Sequence, residues 1–229
     1  MKQIQKSQHI TADGSPTLYM EHFDEYYHSK HGAIQEALHV YLDKGFAHWC
    51  SQNKTIKHCR IFEMGFGTGL NAFLSAEAAS LKKVKVYFDS IEAYPLDLTE
   101  QKEAGYLSYF SADRKKLFEK IIDSSWEEEK QISPNFYLTK LETRLEDFSF
   151  KATYDVIYYD AFGARTQPEL WEDSCFPALV AQLNPGGVFV TYSAKGSVRR
   201  KLERLGLTVT LEPGPPGKRE MIRAKRPLL

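Results

Sequence analysis

Cysteine is scarce in this sequence: 229 residues hold three, and Cys50, Cys59 and Cys175 are far apart. That excludes a disulfide framework and a cysteine-rich zinc site, and fits reduced thiols in a cytoplasmic protein. No apolar run approaches the ~18 residues that a membrane-spanning helix needs. The opening residues, Met1-Lys2-Gln3-Ile4-Gln5-Lys6, are polar and lack the apolar stretch of a secretory signal. The seven histidines show no ligand spacing, so no metal is expected. There is no internal repeat and no low-complexity tract. Net charge is also missing, because 30 basic residues balance 30 acidic ones, which argues against a whole-molecule attraction to nucleic acid.

The charge is unevenly placed, however. From Lys195 to Leu229 ten basic residues stand against three acidic ones, so this tail is strongly basic and the remainder equally acidic. Such asymmetry suits either a one-sided basic patch or a solvated surface without a partner. With 42% apolar residues, the chain is long enough for one domain with a full core.

Residues 1–57 read as an N-terminal appendage. His9-Ile10-Thr11-Ala12 and Thr17-Leu18-Tyr19-Met20 flank the turn cluster Asp13-Gly14-Ser15-Pro16, which predicts a hairpin. Ile34, Leu38, Tyr41 and Leu42 then mark one face of a helix from Gly32 to Lys44, with Gly45 ending it. From residue 58 to 229 strands alternate with helices. Strands are expected at 59–62, 84–91, 136–138, 154–159 and 188–192, and helices at 71–81 and 176–183, with Asn184-Pro185-Gly186-Gly187 as a break. Residues 207–211 and 220–224 suit a closing antiparallel pair. Residues 95–134, with helical pieces at 96–106 and 113–122, read as an insertion over the sheet's carboxyl edge. The implied fold is α/β: a mostly parallel, doubly wound, Rossmann-like sheet with an antiparallel edge strand.

Glu63-Met64-Gly65-Phe66-Gly67-Thr68-Gly69 follows a strand and precedes a helix. Its glycines let the backbone turn tightly and approach a ligand. The third glycine is one place short of the dinucleotide fingerprint, and no Lys-Ser/Thr pair makes it a Walker loop. An acidic residue before Gly-x-Gly-x-Gly resembles the first motif of class I methyltransferases, which implies S-adenosyl-L-methionine as cofactor. Glu63, Gly65, Phe66, Gly67, Thr68, Gly69 and Asn71 are the loop's candidate cofactor contacts. Glu92, at the next strand's end, can accept hydrogen bonds from ribose hydroxyls. Glu142 could reach the adenine edge, with Asp147 as a rival. Asp160 ends the fourth strand, where open α/β sheets bind ligands, so it falls beside the methyl donor. A carboxylate there can orient an amine and help remove its proton; a helix cap or structural bond is the alternative. Phe162, Trp171 and Tyr192 lie near the same edge and could stack on a base, with Phe162 and Tyr192 counted with Asp160 as candidate catalytic residues.

More specifically, Glu63 to Asn71 resembles the glycine loop of the tRNA 5-methylaminomethyl-2-thiouridine methyltransferases, the MnmC methyltransferase domain and its stand-alone MnmD relatives. Phe23 to Ser29 with Gly32-Ala33, Asp160-Ala161-Phe162-Gly163 with Gln167 to Trp171, and Thr191-Tyr192-Ser193 with Val198-Arg199-Arg200 and Gly217 to Met221 match in order. The resemblance implies methylation of the primary amine of 5-aminomethyl-2-thiouridine at the wobble position of tRNA. It also implies Arg199, Arg200, Lys218 and Arg219 on the tRNA, and an anticodon-loop base splayed against Phe162, Trp171 and Tyr192. Lys218 or Arg219 could instead fold back towards the active site. Some members carry a fused flavin-dependent oxidase; this sequence stops at Leu229, so neither oxidase nor flavin is expected. The rival readings are a methyltransferase or aminopropyltransferase acting on a small amine, and a tRNA-binding scaffold without catalysis.

Overall fold

The computed structural model describes residues 6–228; the polar opening residues up to Gln5, read as lacking a leader, lie outside them. The expected hairpin forms as β1 (Lys6–Ile10) against β2 (Pro16–Met20), with a short β3 (Glu25–Tyr26) beside β2. The helix that follows does not stop at Gly45. It runs from α1 (Ala33–Ala37) through a π-helical stretch (Leu38–Ala47) into α2 (His48–Gln52). Gly45 is there for closeness rather than termination: a Cβ would sit 3.0 Å from the Tyr158 ring and 3.1 Å from Val190. The widened helix thus lies directly on the sheet, and its Val40, Tyr41 and Phe46 join the same core as Ile61, Val156 and Tyr158. The segment read as an appendage supplies part of the cover of one sheet face.

The second part follows the expected alternation: β4 (His58–Met64), α3 (Leu70–Lys82), β5 (Lys85–Glu92), α4 (Leu98–Glu103), α5 (Tyr106–Tyr109), α6 (Ala112–Ile122), β6 (Glu129–Ser133), β7 (Phe136–Glu142), β8 (Tyr154–Tyr159), α7 (Phe176–Ala181), β9 (Leu183–Thr191), α8 (Gly196–Arg204), β10 (Thr208–Pro213) and β11 (Glu220–Lys225). Eight strands order as β10-β11-β9-β8-β4-β5-β7-β6. Strands β9, β8, β4, β5 and β7 pair in parallel, and β11, β10 and β6 are antiparallel to their neighbours. The expected mostly parallel sheet is therefore present, with antiparallel strands at both edges. Asn184 to Gly187 does not interrupt the chain after a long helix. α7 ends at Ala181, and these residues lie within β9, where the pairing with β8 shifts register.

Burial on both faces keeps the central strand β8 apolar but for Asp155, whereas β5 and β7 alternate buried residues with partly exposed ones. One face packs α3, α6 and the N-terminal helices around Phe73, Phe88 and Phe118. The other packs α7 and α8 around Phe62, Tyr159, Phe176 and Phe189. The chain steps from β4 to β5 and β7 on one side, then returns to β8 and β9 on the other. That reversal opens a crevice between the carboxyl ends of β4 and β8, where open α/β sheets bind ligands. Among the described residues no helix is long and apolar enough to cross a membrane.

Candidate active site

The chain leaves β4 into a tight turn pinned on both sides. The Gly65 and Phe66 N–H groups donate to the Ile91 carbonyl at 3.0 and 3.2 Å, and the Asp160 N–H donates to the Met64 carbonyl at 3.0 Å. Gly65 has φ +93°, and a Cβ on it would lie 2.9 Å from the Asp160 carbonyl oxygen. Only glycine accepts both that conformation and that approach. The loop borders a cavity of about 430 Å³ whose walls include Gly65, Phe66, Gly67, Asn71, Glu92 and Leu145, a size suited to a small molecule or cofactor. Glu92 is held by two backbone donors, Gly67 N–H at 3.1 Å and Tyr94 N–H at 3.0 Å, one on each carboxylate oxygen. Each oxygen keeps a lone pair for a ligand hydroxyl.

Four of the expected cofactor contacts are not on this cavity. Glu63 points from β4 into the protein, fully buried, where the Ser90 hydroxyl donates to it at 2.6 Å. Burial pushes its carboxyl far above the usual range. Thr68 is buried behind the loop. Gly69 turns towards the Phe66 ring, which a Cβ would meet at 3.0 Å. Glu142 is exposed beside Glu127, whose carboxylate accepts its N–H. The wall beyond β7 comes instead from Arg144, Leu145 and Glu146, because a short 3-10 turn (Leu145–Asp147) carries the chain back over the crevice.

Asp160 stands where the first cavity meets a second of about 450 Å³. Tyr41 donates to its Oδ1 at 2.5 Å and Asn71 Nδ2 donates to its Oδ2 at 2.8 Å. Removal from bulk water outweighs these bonds and pushes the Asp160 carboxyl up to about 7. The second cavity also holds Tyr27, Glu36, Phe162, Tyr192 and Lys218. Lys218 Nζ lies 2.6 Å from Glu36 and 3.8 Å from the centre of the Tyr192 ring, and the Tyr192 hydroxyl donates to the Ala161 carbonyl at 2.8 Å. Lys218 thus folds back towards Asp160 rather than outwards. Phe162 meets the Tyr27 ring edge-on. His28 borders both cavities, and burial pushes its imidazole down to about 4, so it is neutral.

The remaining expected substrate residues lie elsewhere. Trp171 is buried; its indole N–H donates to the Phe162 carbonyl at 2.7 Å and its ring packs against Tyr159 and Tyr192. It props the Asp-Ala-Phe segment from behind and offers no face to a base. Arg199 and Arg200 are exposed on α8, outside both cavities, and Arg199 pairs with Glu203. Much of the basic tail is similarly engaged: Lys201 and Arg204 with Asp173, Arg223 with Glu212, and Arg226 with the carbonyls of Ala181 and Leu183. Arg219 is exposed and, like Arg200, has no ion-pair partner among the described residues. Tyr41, Glu36 and His28 are site residues that pattern reading passed over. Tyr27 and His28 did fall in the block Phe23 to Ser29, but Tyr41 carried only the signal of a helix's apolar face.

A model of the S-adenosyl-L-methionine-dependent methyltransferase family matches residues 111–227. Among curated relatives, the tRNA 5-methylaminomethyl-2-thiouridine biosynthesis bifunctional protein MnmC of Marinomonas sp. is 31% identical over 91% of this chain and 32% of its own length. The protein of the same name from Ralstonia nicotianae is 30% identical over 95% of this chain and 34% of its own. This chain therefore spans about a third of the length of the curated relatives it matches. The crystal structure of MNMC2 from Aquifex aeolicus superposes with a TM-score of 0.74 at 24% identity, over all of this chain and 73% of that one, a likeness of fold.

Proposed function

Because this chain belongs to the S-adenosyl-L-methionine-dependent methyltransferase family, we propose that it methylates the primary amine of 5-aminomethyl-2-thiouridine in tRNA, giving 5-methylaminomethyl-2-thiouridine. The observation that carries this reading is the meeting of two cavities at Asp160, a carboxyl poised near neutrality. The substrate rests on the name of the MnmC relatives and on the sequence blocks that resemble that family.

The residues present fit the cofactor. Gly65 and Gly67 offer bare backbone to the first cavity, Glu92 offers two anchored oxygens suited to the ribose hydroxyls, and Leu145 and Ala93 offer apolar wall for the adenine. When bound, S-adenosyl-L-methionine supplies an electrophilic methyl group on a sulfonium and leaves as a thioether. The remaining work falls to the chain. A protonated amine has no lone pair, so Asp160, once ionised, takes the proton that would block attack. Tyr41 and Asn71 hold both carboxylate oxygens, which fixes where that proton goes. Phe162 and Tyr27 narrow the passage, orient the entering amine and exclude water. Trp171 acts indirectly by fixing the Phe162 carbonyl.

The test is mass spectrometry of nucleosides after incubating the protein with S-adenosyl-L-methionine and tRNA from cells lacking the activity. The expected result is one added methyl on 5-aminomethyl-2-thiouridine. Methylation of a free polyamine, insensitive to salt, with no change in the tRNA would overturn the reading.

A further inference from the structure

The N-terminal segment brings one unsatisfied hydrogen-bonding atom to the junction of the two cavities. His28 follows β3 and borders both of them. Its backbone N–H donates to Thr17 Oγ1 on β2 at 3.1 Å. Its Nδ1 lies 3.4 Å from the Tyr106 hydroxyl, and the two rings meet edge-to-face. Tyr106 is fully buried in α5, packed against Phe110 and Phe118, so it fixes one edge of the imidazole. The two nitrogens of an imidazole point to opposite sides of the ring, and Nε2 therefore turns away from Tyr106. Among the described residues Nε2 has no hydrogen-bond partner, yet it is not sealed in the interior.

Tyr106 also decides which nitrogen carries the hydrogen. A buried phenol donates its proton, and Nδ1 of His28 is the acceptor within its reach. A neutral imidazole that accepts at Nδ1 carries its hydrogen on Nε2. Burial keeps His28 neutral, with its imidazole down at about 4. The junction thus holds a fixed, uncharged N–H donor, and Asp160 borders the same two cavities. The cofactor offers three kinds of acceptor: adenine ring nitrogens, ribose hydroxyls and the carboxylate of its methionine end. Leu145 and Glu92 suit the first two at one end of the first cavity. The sulfonium has to reach Asp160, so the methionine end lies at the junction, and the carboxylate is the acceptor left for a donor there.

We infer that His28 is a cofactor-binding residue whose Nε2–H donates to the methionine carboxylate of S-adenosyl-L-methionine, in the tautomer that Tyr106 sets. A neutral donor suits the place, because it holds an anion without bringing a positive charge to the sulfonium or to the entering amine. The inference rests on the proposed placing of ribose and adenine and does not depend on tRNA.

Calorimetric titration compares S-adenosyl-L-methionine with its decarboxylated form, which keeps the sulfonium, the methyl group and the amine and lacks only the carboxylate. In His28→Asn the amide oxygen can still accept from Tyr106, but the second donor is gone. Affinity for S-adenosyl-L-methionine should fall about tenfold or more, while affinity for the decarboxylated form holds. His28→Gln, whose amide nitrogen reaches towards the Nε2 position, should restore part of the loss. An equal loss for both ligands, or no loss for either, overturns the inference. Should H28N fail to fold, NMR of ¹⁵N-histidine-labelled wild-type protein carries the same test. His28 should show the neutral Nε2–H form around neutral pH, and its Nε2 signal should move with S-adenosyl-L-methionine and not with the decarboxylated form. A hydrogen on Nδ1, or equal responses to the two ligands, overturns the inference. Failure of the proposed function looks different: His28 still separates the two ligands and no tRNA is methylated.

Discussion

The Tyr41 hydroxyl donates to Oδ1 of Asp160 at 2.5 Å, joining a helix early in the chain to the end of β8. A donor to the ionised form favours that form, so Tyr41 holds the Asp160 carboxyl lower than burial alone would. In Tyr41→Phe the packing stays and the bond goes. A hydrogen bond to a charged group contributes about 1.5 kcal/mol, close to one pKa unit. The expected outcome is a rising limb of kcat/KM displaced upwards by about one pH unit, with cofactor affinity, measured by calorimetric titration, held. An unmoved limb would detach Tyr41 from Asp160 in solution.

Asp160→Asn should lower turnover by about 10²–10⁴-fold and leave S-adenosyl-L-methionine binding nearly intact, because a general base of this kind contributes that much. It should also change stability with a defined sign. The Asp160 carboxyl is raised from 3.8 to about 7 in the folded protein. Its contribution to stability is therefore fully present below about pH 4 and is lost as pH rises through about 7. The variant lacks that loss. Urea midpoints of the two proteins should diverge across this window, in favour of the variant at its upper end, and parallel curves would count against a buried, titrating Asp160.

Lys140 gives a prediction of the opposite sign. Its ammonium is fully buried, donates to the carbonyls of Ile121 and Ile122 at 3.2 and 3.0 Å where α6 ends, and lies about 5 Å from the ring centres of Phe66 and Trp126. Burial brings it down to about 8. The unfolded chain then holds this proton more tightly than the folded one, so stability from this residue rises with pH between about 8 and 10.5. Lys140→Met removes that rise. Chemical denaturation of both proteins across the interval checks it, and an identical pH slope would show that Lys140 does not titrate there.

The parallel strands' places along the chain and the placing of the glycine loop were legible because they depend on local patterns. Apolar runs marked the parallel strands, and glycines with an adjacent strand and helix marked the turn. What escaped depends on partners distant in the chain. Tyr41 and Asp160 are 119 residues apart, and nothing near Tyr41 separates it from an ordinary core tyrosine. β6 reads Glu-Lys-Gln-Ile-Ser, an edge strand with one buried apolar residue, Ile132, too little for a period of two to show. α8 buries only Val198 and Leu202 beneath a charged exterior, so its stripe was two residues long. Trp171 was placed at the correct edge but on the wrong side of it. Periodicity says that a residue is near the sheet's end, while the hydrogen bond to Phe162 decides which way its ring faces.

That hydrogen bond separates two accounts of Trp171. If it stacked on a base, Trp171→Phe would weaken tRNA binding and spare the fold. In the structure its N–H instead satisfies the Phe162 carbonyl from within the core. Trp171→Phe should therefore destabilise the protein by about 1–3 kcal/mol, the cost of a carbonyl left unpaired, and lower kcat through a loosened Phe162. Binding of tRNA should change little. Thermal unfolding and filter binding on the same preparation decide between the two.

The basic tail needs a finer test than its total charge, because most of its cations already have partners within the fold. Arg223, beside Glu212 at 2.6 Å, serves the β10–β11 hairpin and the N-terminal helix that shares Glu212 through Lys44. Arg200 and Arg219 are exposed and without ion-pair partners among the described residues. If tRNA phosphates meet this surface, Arg200→Ala and Arg219→Ala should each weaken binding at low salt and reduce the slope of log Kd against log salt by about one. Arg223→Met should instead lower the unfolding midpoint and leave the slope unchanged. Binding titrations at four salt concentrations distinguish these outcomes, and slopes unaffected by either exposed arginine would place the tRNA on another face.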